Sequence, residues 1–401
     1  MAAEHDGGSD AESEEERCEW LLGFVQPPRK RTDLLRHRFP SKVGGRPAWL
    51  DPLHLPTEEQ LTCRVTGKPL NYLLQVYAPL DGNPSAFHRA LFLFVSPDGD
   101  KLVQAGSVRA LRCQLSRANR FYPPDPPKKT DVRPPQLPED DRRSSLARDR
   151  WRVLEHEQQQ QQQQQQAANG AASSRLSQGA AAAVGGVQGA AAGGELAAAT
   201  GDRAEGGEEE GSPLCVPQGA LFPEAEVVVE PEDDGSDDDG AGQDQYVRQL
   251  VQQYKQQTAQ GAYSEEELPG SLVDELEGRI SPEQRHFATF QARVGKEPAQ
   301  CLRYCFDAGA TPLWPSSKNI PGRADVPACE RCGAPRQFEF QVMPQMLVHL
   351  GVEADDPLAP DWGAIAVYSC SASCDSGVTA GASSPDESAY LEEFVWVQES
   401  A

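Results

Sequence analysis

Two cysteine pairs, Cys329-Glu-Arg-Cys332 and, after 37 intervening residues, Cys370-Ser-Ala-Ser-Cys374, constrain this chain more than any other feature. Closely spaced thiols at the ends of facing strands form a tetrahedral cage, and zinc is the expected occupant. The residues after the first pair, Arg336-Gln-Phe-Glu-Phe-Gln-Val342, alternate as a half-buried strand does, and Ile365-Ala-Val-Tyr-Ser369 reads likewise before the second. One strand leaves the first pair and the other runs into the second, so antiparallel pairing predicts both pairs at one end of a ribbon. The expected ligands are Cys329, Cys332, Cys370 and Cys374, holding one ion. Four thiolates leave no open coordination position, the mark of a structural rather than a catalytic zinc. A pair of disulfides or free buried thiols are the alternatives.

An echo of this segment lies 266 positions upstream. Cys63-Arg-Val-Thr66-Gly67-Lys-Pro69, with Tyr72, Gln75 and Val76, aligns without a gap on Cys329-Glu-Arg-Cys332-Gly333-Ala-Pro335, with Phe338, Gln341 and Val342. A Pro-x-Trp precedes each copy, at Pro47 and Trp49 and at Pro312 and Trp314. The chain therefore contains an internal repeat. In the first copy Thr66 replaces the second ligand, and the strand Ala90-Leu-Phe-Leu-Phe-Val95 is followed by Ser-Pro-Asp-Gly-Asp100 with no cysteine pair. Cys63 and Cys113 alone cannot make a four-ligand cage, so the first half is expected to have lost its metal.

Long consecutive motifs in both halves carry a resemblance. They include Pro40-Ser-Lys-Val-Gly-Gly-Arg-Pro-Ala-Trp-Leu50, Leu73-Leu-Gln-Val-Tyr-Ala-Pro79, Phe87-His-Arg89, Pro335-Arg-Gln-Phe-Glu-Phe-Gln-Val-Met-Pro344, Cys370-Ser-Ala-Ser-Cys374 and Glu393-Phe-Val-Trp-Val-Gln398. Together they resemble the programmed cell death protein 2 family, which includes a yeast factor for small-subunit rRNA maturation; the match runs over roughly residues 17–122 and 285–399. The resemblance implies a non-enzymatic, cytoplasmic and partly nuclear factor. It would act as a dedicated chaperone for a basic small-subunit ribosomal protein, the S-two protein of the bacterial S-five family. Many relatives carry a complete cysteine-rich knuckle, sometimes of MYND type, in or near the first half; its absence here removes the expectation of MYND-type peptide recognition.

Composition bounds the reading independently. With 33 prolines, 35 glycines and 38% hydrophobic residues among 401, much of the chain is not expected to fold. No run approaches the apolar length of a membrane helix, and Met1-Ala-Ala-Glu-His-Asp is acidic where a secretory leader is basic. An intracellular setting is the expectation, in which ten cysteines read as metal ligands and buried thiols rather than disulfides. Residues 1–16 are expected as a disordered acidic tail, 17–122 as the first β-rich half with a degenerate knuckle, 123–280 as a disordered insertion and 281–399 as the zinc-binding half. Within the insertion come a proline-rich stretch, polyglutamine at 158–166, an Ala/Gly tract at 167–199 and an acidic tract at 201–240. A short helix is expected near 245–259, and a second over Pro282–Phe306 with Phe287, Phe290, Val294 and Leu302 on one face.

The net charge of −24 hides a division. Residues 17–122 carry +8, residues 281–401 carry −8 and the 201–240 tract −13. The acidic parts could cover the basic half or attract a cationic client; the plainer reading is a solvating surface. The basic run Arg29-Lys-Arg31 with Arg36, His37 and Arg38 reads either as an import signal or as a solvated loop. His88 and His349 stand apart from the cysteines and are not expected as ligands, while Trp49, Trp314 and Trp396 are expected in the core. No GxSxG, GxxxxGK[ST], GxGxxG or HExxH motif is present, so catalysis is not expected.

The expected fold is thus a β-rich α+β protein of two related zinc-ribbon-like halves packed together across a long disordered insertion. The expected function is capture of a basic ribosomal client by a monomer, on a sheet edge, with no membrane and no direct nucleic-acid partner. A zinc-dependent nucleic-acid-binding regulator, suggested by the basic first half, is the alternative.

Overall fold

Ten runs of alternating or continuous apolar residues form strands. The computed structural model describes residues 19–135, 221–232, 282–352, 356, 358–378 and 388–400. Its strands are β1 (Leu21–Gln26), β2 (Lys42–Val43), β3 (Asn71–Tyr77), β4 (His88–Val95), β5 (Val108–Leu115), β6 (Ala225–Pro231), β7 (Leu302–Tyr304), β8 (Arg336–Val342), β9 (Ala364–Cys370) and β10 (Leu391–Gln398). All pair antiparallel, and the order β1-β6-β2-β3-β4-β5-β10-β9-β8-β7 closes through β7 and β1.

The expectation of two zinc-ribbon-like halves packed together is overturned. Each repeat instead contributes five strands to one closed barrel. Two separate ribbons would each leave edge strands with unpaired N–H and C=O groups. Here β5 joins β10 across the repeat boundary, with Leu391 opposite Arg112 and Glu393 opposite Ala110. At the far side the first strands are exchanged: β1 pairs with β7 of the second repeat, and β6 pairs with β2 of the first. The repeat itself persists in fine detail. A β-bulge falls between Tyr72 and Leu74 in β3 and again between Phe338 and Phe340 in β8, 266 positions on. Gln75 accepts from the Ala48 amide at 2.8 Å, and its counterpart Gln341 accepts from that of Leu313 at 2.6 Å.

β6 comes from inside the stretch that composition assigns to the insertion. Three consecutive valines, Val227 to Val229, give it a strand core that the surrounding glutamates and glycines conceal. Phe222 and Val227 bury into the barrel, Lys42 pairs with Glu224 at its start, and Glu232 at its end takes Arg303 and Arg293 at 2.8 and 2.7 Å. Gly44, at φ +63°, lets the lead-in pass close by, since a Cβ there would run into the Pro223 carbonyl. The polyglutamine tract and the helix expected near 245–259 lie outside the described residues. The one α-helix among them, α1 (Pro282–Lys296), is shorter than expected. Pro298 biases its predecessor away from helix, and Leu302 sits in β7 instead.

Side chains alternate across the wall. One set, including Leu91, Leu93, Val108, Phe340 and Val367, fills an apolar interior. The opposite set of the first repeat packs Trp49, Phe92, Leu111 and Tyr390 beneath the loops outside. Trp314 is buried and Trp396 only partly so. At the end where β4 begins, the interior turns polar. Arg89 and Glu339 are both fully buried and joined bidentately, one bond measuring 2.8 Å. Arg112 and Arg336 share the buried Glu393 at 2.7 and 3.0 Å. These pairs join basic residues to acidic ones across the barrel, two of the three linking the first repeat to the second, so part of the charge division is neutralised inside the molecule. Outside, Arg36, His37 and Arg38 bond backbone carbonyls of Asp131 and Pro135 and pin the proline-rich stretch.

Removing one member of the buried pair leaves its partner charged without a counter-ion, so Glu339→Ala should cost about 3–5 kcal/mol of stability. Arg89→Met combined with Glu339→Leu should recover most of that loss in urea denaturation. His88 stacks on Phe39 at 4.1 Å, and its Nδ1 meets the Tyr77 hydroxyl at 3.0 Å. Burial lowers its pKa from 6.5 to about 4. Between those values the unfolded chain binds the proton and the folded chain does not, so stability falls as pH drops from about 6.5 to about 4, by up to about 3 kcal/mol. His88→Gln should flatten that limb of the pH–stability curve.

Candidate metal centre

The first cysteine pair lies on a tight knuckle before β8. The Cys329 amide donates to the Ala334 carbonyl at 2.8 Å, the Gly333 amide donates back to the Cys329 carbonyl at 2.8 Å, and Gly333 takes φ +73°. The second pair brackets the turn after β9, where Ser373 adopts φ +41°. Since Arg336 faces Cys370 across the β8–β9 ladder, knuckle and turn meet.

The four sulfurs of Cys329, Cys332, Cys370 and Cys374 lie within 4.8 Å of one another. Cys329 Sγ is 3.7 Å from Cys374 Sγ, and Cys332 Sγ is 3.5 Å from Cys370 Sγ. A tetrahedron with zinc–sulfur bonds of about 2.3 Å has edges of roughly 3.8 Å, so the spacing and the all-thiol donor set fit the ion. Cys332 is the exposed member and Cys329 and Cys370 are buried. Burial opposes ionisation at Cys329, but the amides of Cys332 and Arg331 aimed at its sulfur prevail and bring its pKa down to about 7. Burial and the neighbouring thiols push Cys374 up to about 12. A dication is what would let all four ionise together.

The surroundings hold the turn in place, and they come largely from the other repeat. Arg112 Nη1 donates to the Cys374 carbonyl at 3.0 Å, and its Nη2 stands 3.9 Å from Cys374 Sγ. Ser373 Oγ accepts from Arg89 Nε at 3.0 Å, and its carbonyl accepts from Gln114 at 3.0 Å. Glu393 accepts from the Cys370 amide at 3.2 Å. The cysteine spacing gives no hint of these supports. Their one trace in the sequence is the opposite charge of the two halves. Their oxygen and nitrogen contacts fix ligand orientation in the way a metal site requires.

The first repeat keeps the knuckle without the donors. The Cys63 amide donates to the Lys68 carbonyl at 2.8 Å, that of Gly67 returns to the Cys63 carbonyl at 2.9 Å with φ +69°, and the Thr66 amide points at Cys63 Sγ at 3.4 Å. Leu74 faces Leu93 as its counterpart Phe340 faces Val367. Counting onward, Ser96 and Asp100 hold the places of Cys370 and Cys374. Cys113 is fully buried elsewhere, its pKa raised well above the usual thiol range by burial. Among the described residues no second metal-competent cluster forms. Cys305 is disulfide-bonded, whereas Cys63, Cys113 and Cys301 are free thiols. His88 and His349 take no place in the cage.

The model of the programmed cell death protein 2 N-terminal domain matches residues 19–129, and that of its C-terminal putative domain matches residues 284–399. The chain is 35% identical to mouse programmed cell death protein 2 over 382 residues, covering 94% of this chain and 96% of that one. It is 29% identical to mouse programmed cell death protein 2-like over 365 residues, 90% of each. A fission-yeast protein named probable 20S rRNA accumulation protein 4 is 31% identical over 125 residues, 29% of this chain and 28% of that one. No solved structure matches.

Purified protein should carry one zinc per chain by atomic emission. Because structural zinc in small modules contributes on the order of 10 kcal/mol of apparent binding free energy, Cys332→Ser should lose the metal and melt the barrel at lower temperature. Two zincs per chain, or a Cys332→Ser protein that melts like the parent, would refute a single cage in the second repeat.

Proposed function

The chain belongs to the programmed cell death protein 2 family, and from that premise we propose that it is a non-enzymatic assembly factor of the small ribosomal subunit. Its role is to hold a newly made basic ribosomal protein, the S-two protein of the bacterial S-five family, until that protein is incorporated. The observation that carries this reading is the similarity to the fission-yeast protein named for 20S rRNA accumulation. A net charge of −24 supplies a physical reason for attraction to a cationic chain. One zinc held by Cys329, Cys332, Cys370 and Cys374 acts structurally, locking knuckle and turn at one end of the barrel; four thiolates leave it no position for a substrate. The factor works as a monomer in the cytoplasm, with a nuclear share.

Capture on a free sheet edge is not retained. The barrel is closed, so the wall offers no long unpaired strand among the described residues, and a client has to dock on a face or cleft. The nucleic-acid regulator rested on the basic first half. Its Arg89, Arg109 and Arg112 are buried in ion pairs with Glu339, Glu392 and Glu393, which leaves less positive charge for phosphates and favours the protein-binding reading.

Affinity purification of the full chain after nuclease treatment should recover a small-subunit ribosomal protein, and depletion should lower small subunits relative to large ones. A complex that nuclease dissolves, with an unchanged subunit ratio after depletion, would make the nucleic-acid regulator the better account.

A further inference from the structure

The repeat makes the two ends of the barrel counterparts, yet they differ. At the cage end the turn after β3, Pro84–Ala86, is roofed by the Cys370–Cys374 turn: Gln114 Nε2 bonds both Ser85 Oγ, at 3.1 Å, and the Ser373 carbonyl. At the opposite end the corresponding turn after β8, Pro344–His349, has no such roof among the described residues. Val348 on it is 83% exposed, an unusual place for a valine, and Val103 and Leu358 nearby are exposed at 37% and 48%. A cleft of about 630 Å³ runs here, with Leu347, Val348 and Val352 on one side and Val103 on the other.

The cleft also carries acidic groups. Asp100, Asp356, Asp361 and Glu399 line it, and among the described residues no lysine or arginine does. Asp100 is shared with its exposed neighbour Lys101 at 2.6 Å. Asp356 accepts from the Leu358 amide at 2.9 Å, and Asp361 accepts from the Ser400 hydroxyl. The Gly99 amide donates to the Leu358 carbonyl at 3.1 Å, tying the β4–β5 loop to the loop before β9. The lining thus asks for two things of an occupant, aliphatic side chains against Val103, Leu347, Val348 and Val352 and cationic ones against the carboxylates. The volume falls within the range of sites that take specific ligands.

We propose that this cleft is a docking site for a short cationic peptide segment carrying aliphatic side chains, presented by another protein. The aliphatic groups cover Val348 and Val103, and lysine or arginine side chains meet Asp356, Asp361 and Glu399. The cleft gives the basic client of the proposed function a place to bind, and the assignment of that client rests on that reading; the preference for cationic, aliphatic peptides does not.

Fluorescence anisotropy with the full chain tests it, using a short fluorescein-labelled peptide alternating lysine with leucine, and two controls with glutamate for lysine or serine for leucine. The lysine–leucine peptide should bind, more weakly as salt is raised, and neither control should. Val348→Ser should weaken binding about tenfold or more, and so should Asp356→Asn combined with Asp361→Asn and Glu399→Gln. Melting temperatures should stay unchanged, since these side chains are at the surface. Unaltered binding in both variants, or equal binding of the glutamate peptide, overturns the proposal. A ribosomal client retained by wild type and by both variants would likewise remove the cleft while leaving the assembly-factor reading intact. If wild type holds no client yet peptide binding tracks the variants, the cleft stands and the client is wrong.

Discussion

Placing the Arg89 guanidinium inside a protein barrel costs several kcal/mol in lost hydration, and much of the architecture is arranged around offsetting that cost. Glu339 reaches it from the opposite wall, where the bulge between Phe338 and Phe340 turns an additional side chain inward. Ser369 bonds the carboxylate from β9, the Ala78 carbonyl and Ser373 Oγ accept from the guanidinium, and Phe306 stacks 5.0 Å from it. The group bonded to Arg89 Nε is therefore part of the turn between Cys370 and Cys374. Interior ion pair, strand bulge and metal turn form one connected set of contacts, so loosening any of them disturbs the others.

The same geometry uses part of the charge difference between the halves. A barrel assembled from two copies of one unit brings like strands together at its seam, where β5 meets β10. Arginines on β5 would face arginines on β10 if the copies were alike. Acidic residues on the second copy, Glu392 and Glu393, instead receive Arg109 and Arg112. Opposite signs on the two copies also favour pairing of one with the other over pairing of a copy with itself.

Much of this was legible in the sequence, and the features that were missed have definite causes. Strands β8 and β9 are apparent from their alternation and β4 from its apolar run, and the gapless alignment of Cys63 on Cys329 foretells the matching knuckles. The cysteine spacing brings together the four sulfurs that the structure clusters. Closure is not apparent, because periodicity describes each strand's faces and says nothing of which edges meet. β2 and β7, of two and three residues, are too short to show a period. β6 was hidden by its setting, since a valine triplet among glutamates and glycines reads as part of a solvated tract. The supports of the cage, Arg89, Arg112, Gln114 and Glu393, are separated from it by up to hundreds of positions along the chain and could be read only as an overall charge balance.

Loss of the ligands in one copy has made the two ends of the barrel mechanically unequal. A four-thiolate cage cross-links knuckle to turn and fixes the loops over its end, as Ser373 and Gln114 display. With Thr66, Ser96 and Asp100 in the ligand places, the first copy's knuckle keeps its backbone hydrogen bonds, the Thr66 amide against Cys63 Sγ and the Lys68–Asp98 ion pair, but no four-thiol cluster ties it to the β4–β5 loop. The loop then settles against Leu358 through the Gly99 amide, leaving apolar side chains of the neighbouring turn uncovered. Fewer cross-links at that end make its loops easier to open than loops tied by a buried polar network such as that of Arg89, Gln114 and Ser373. Buried polar contacts are thereby concentrated at one end of the barrel and exposed valines such as Val348 at the other. That is the distribution expected of a scaffold that binds with its exposed apolar face.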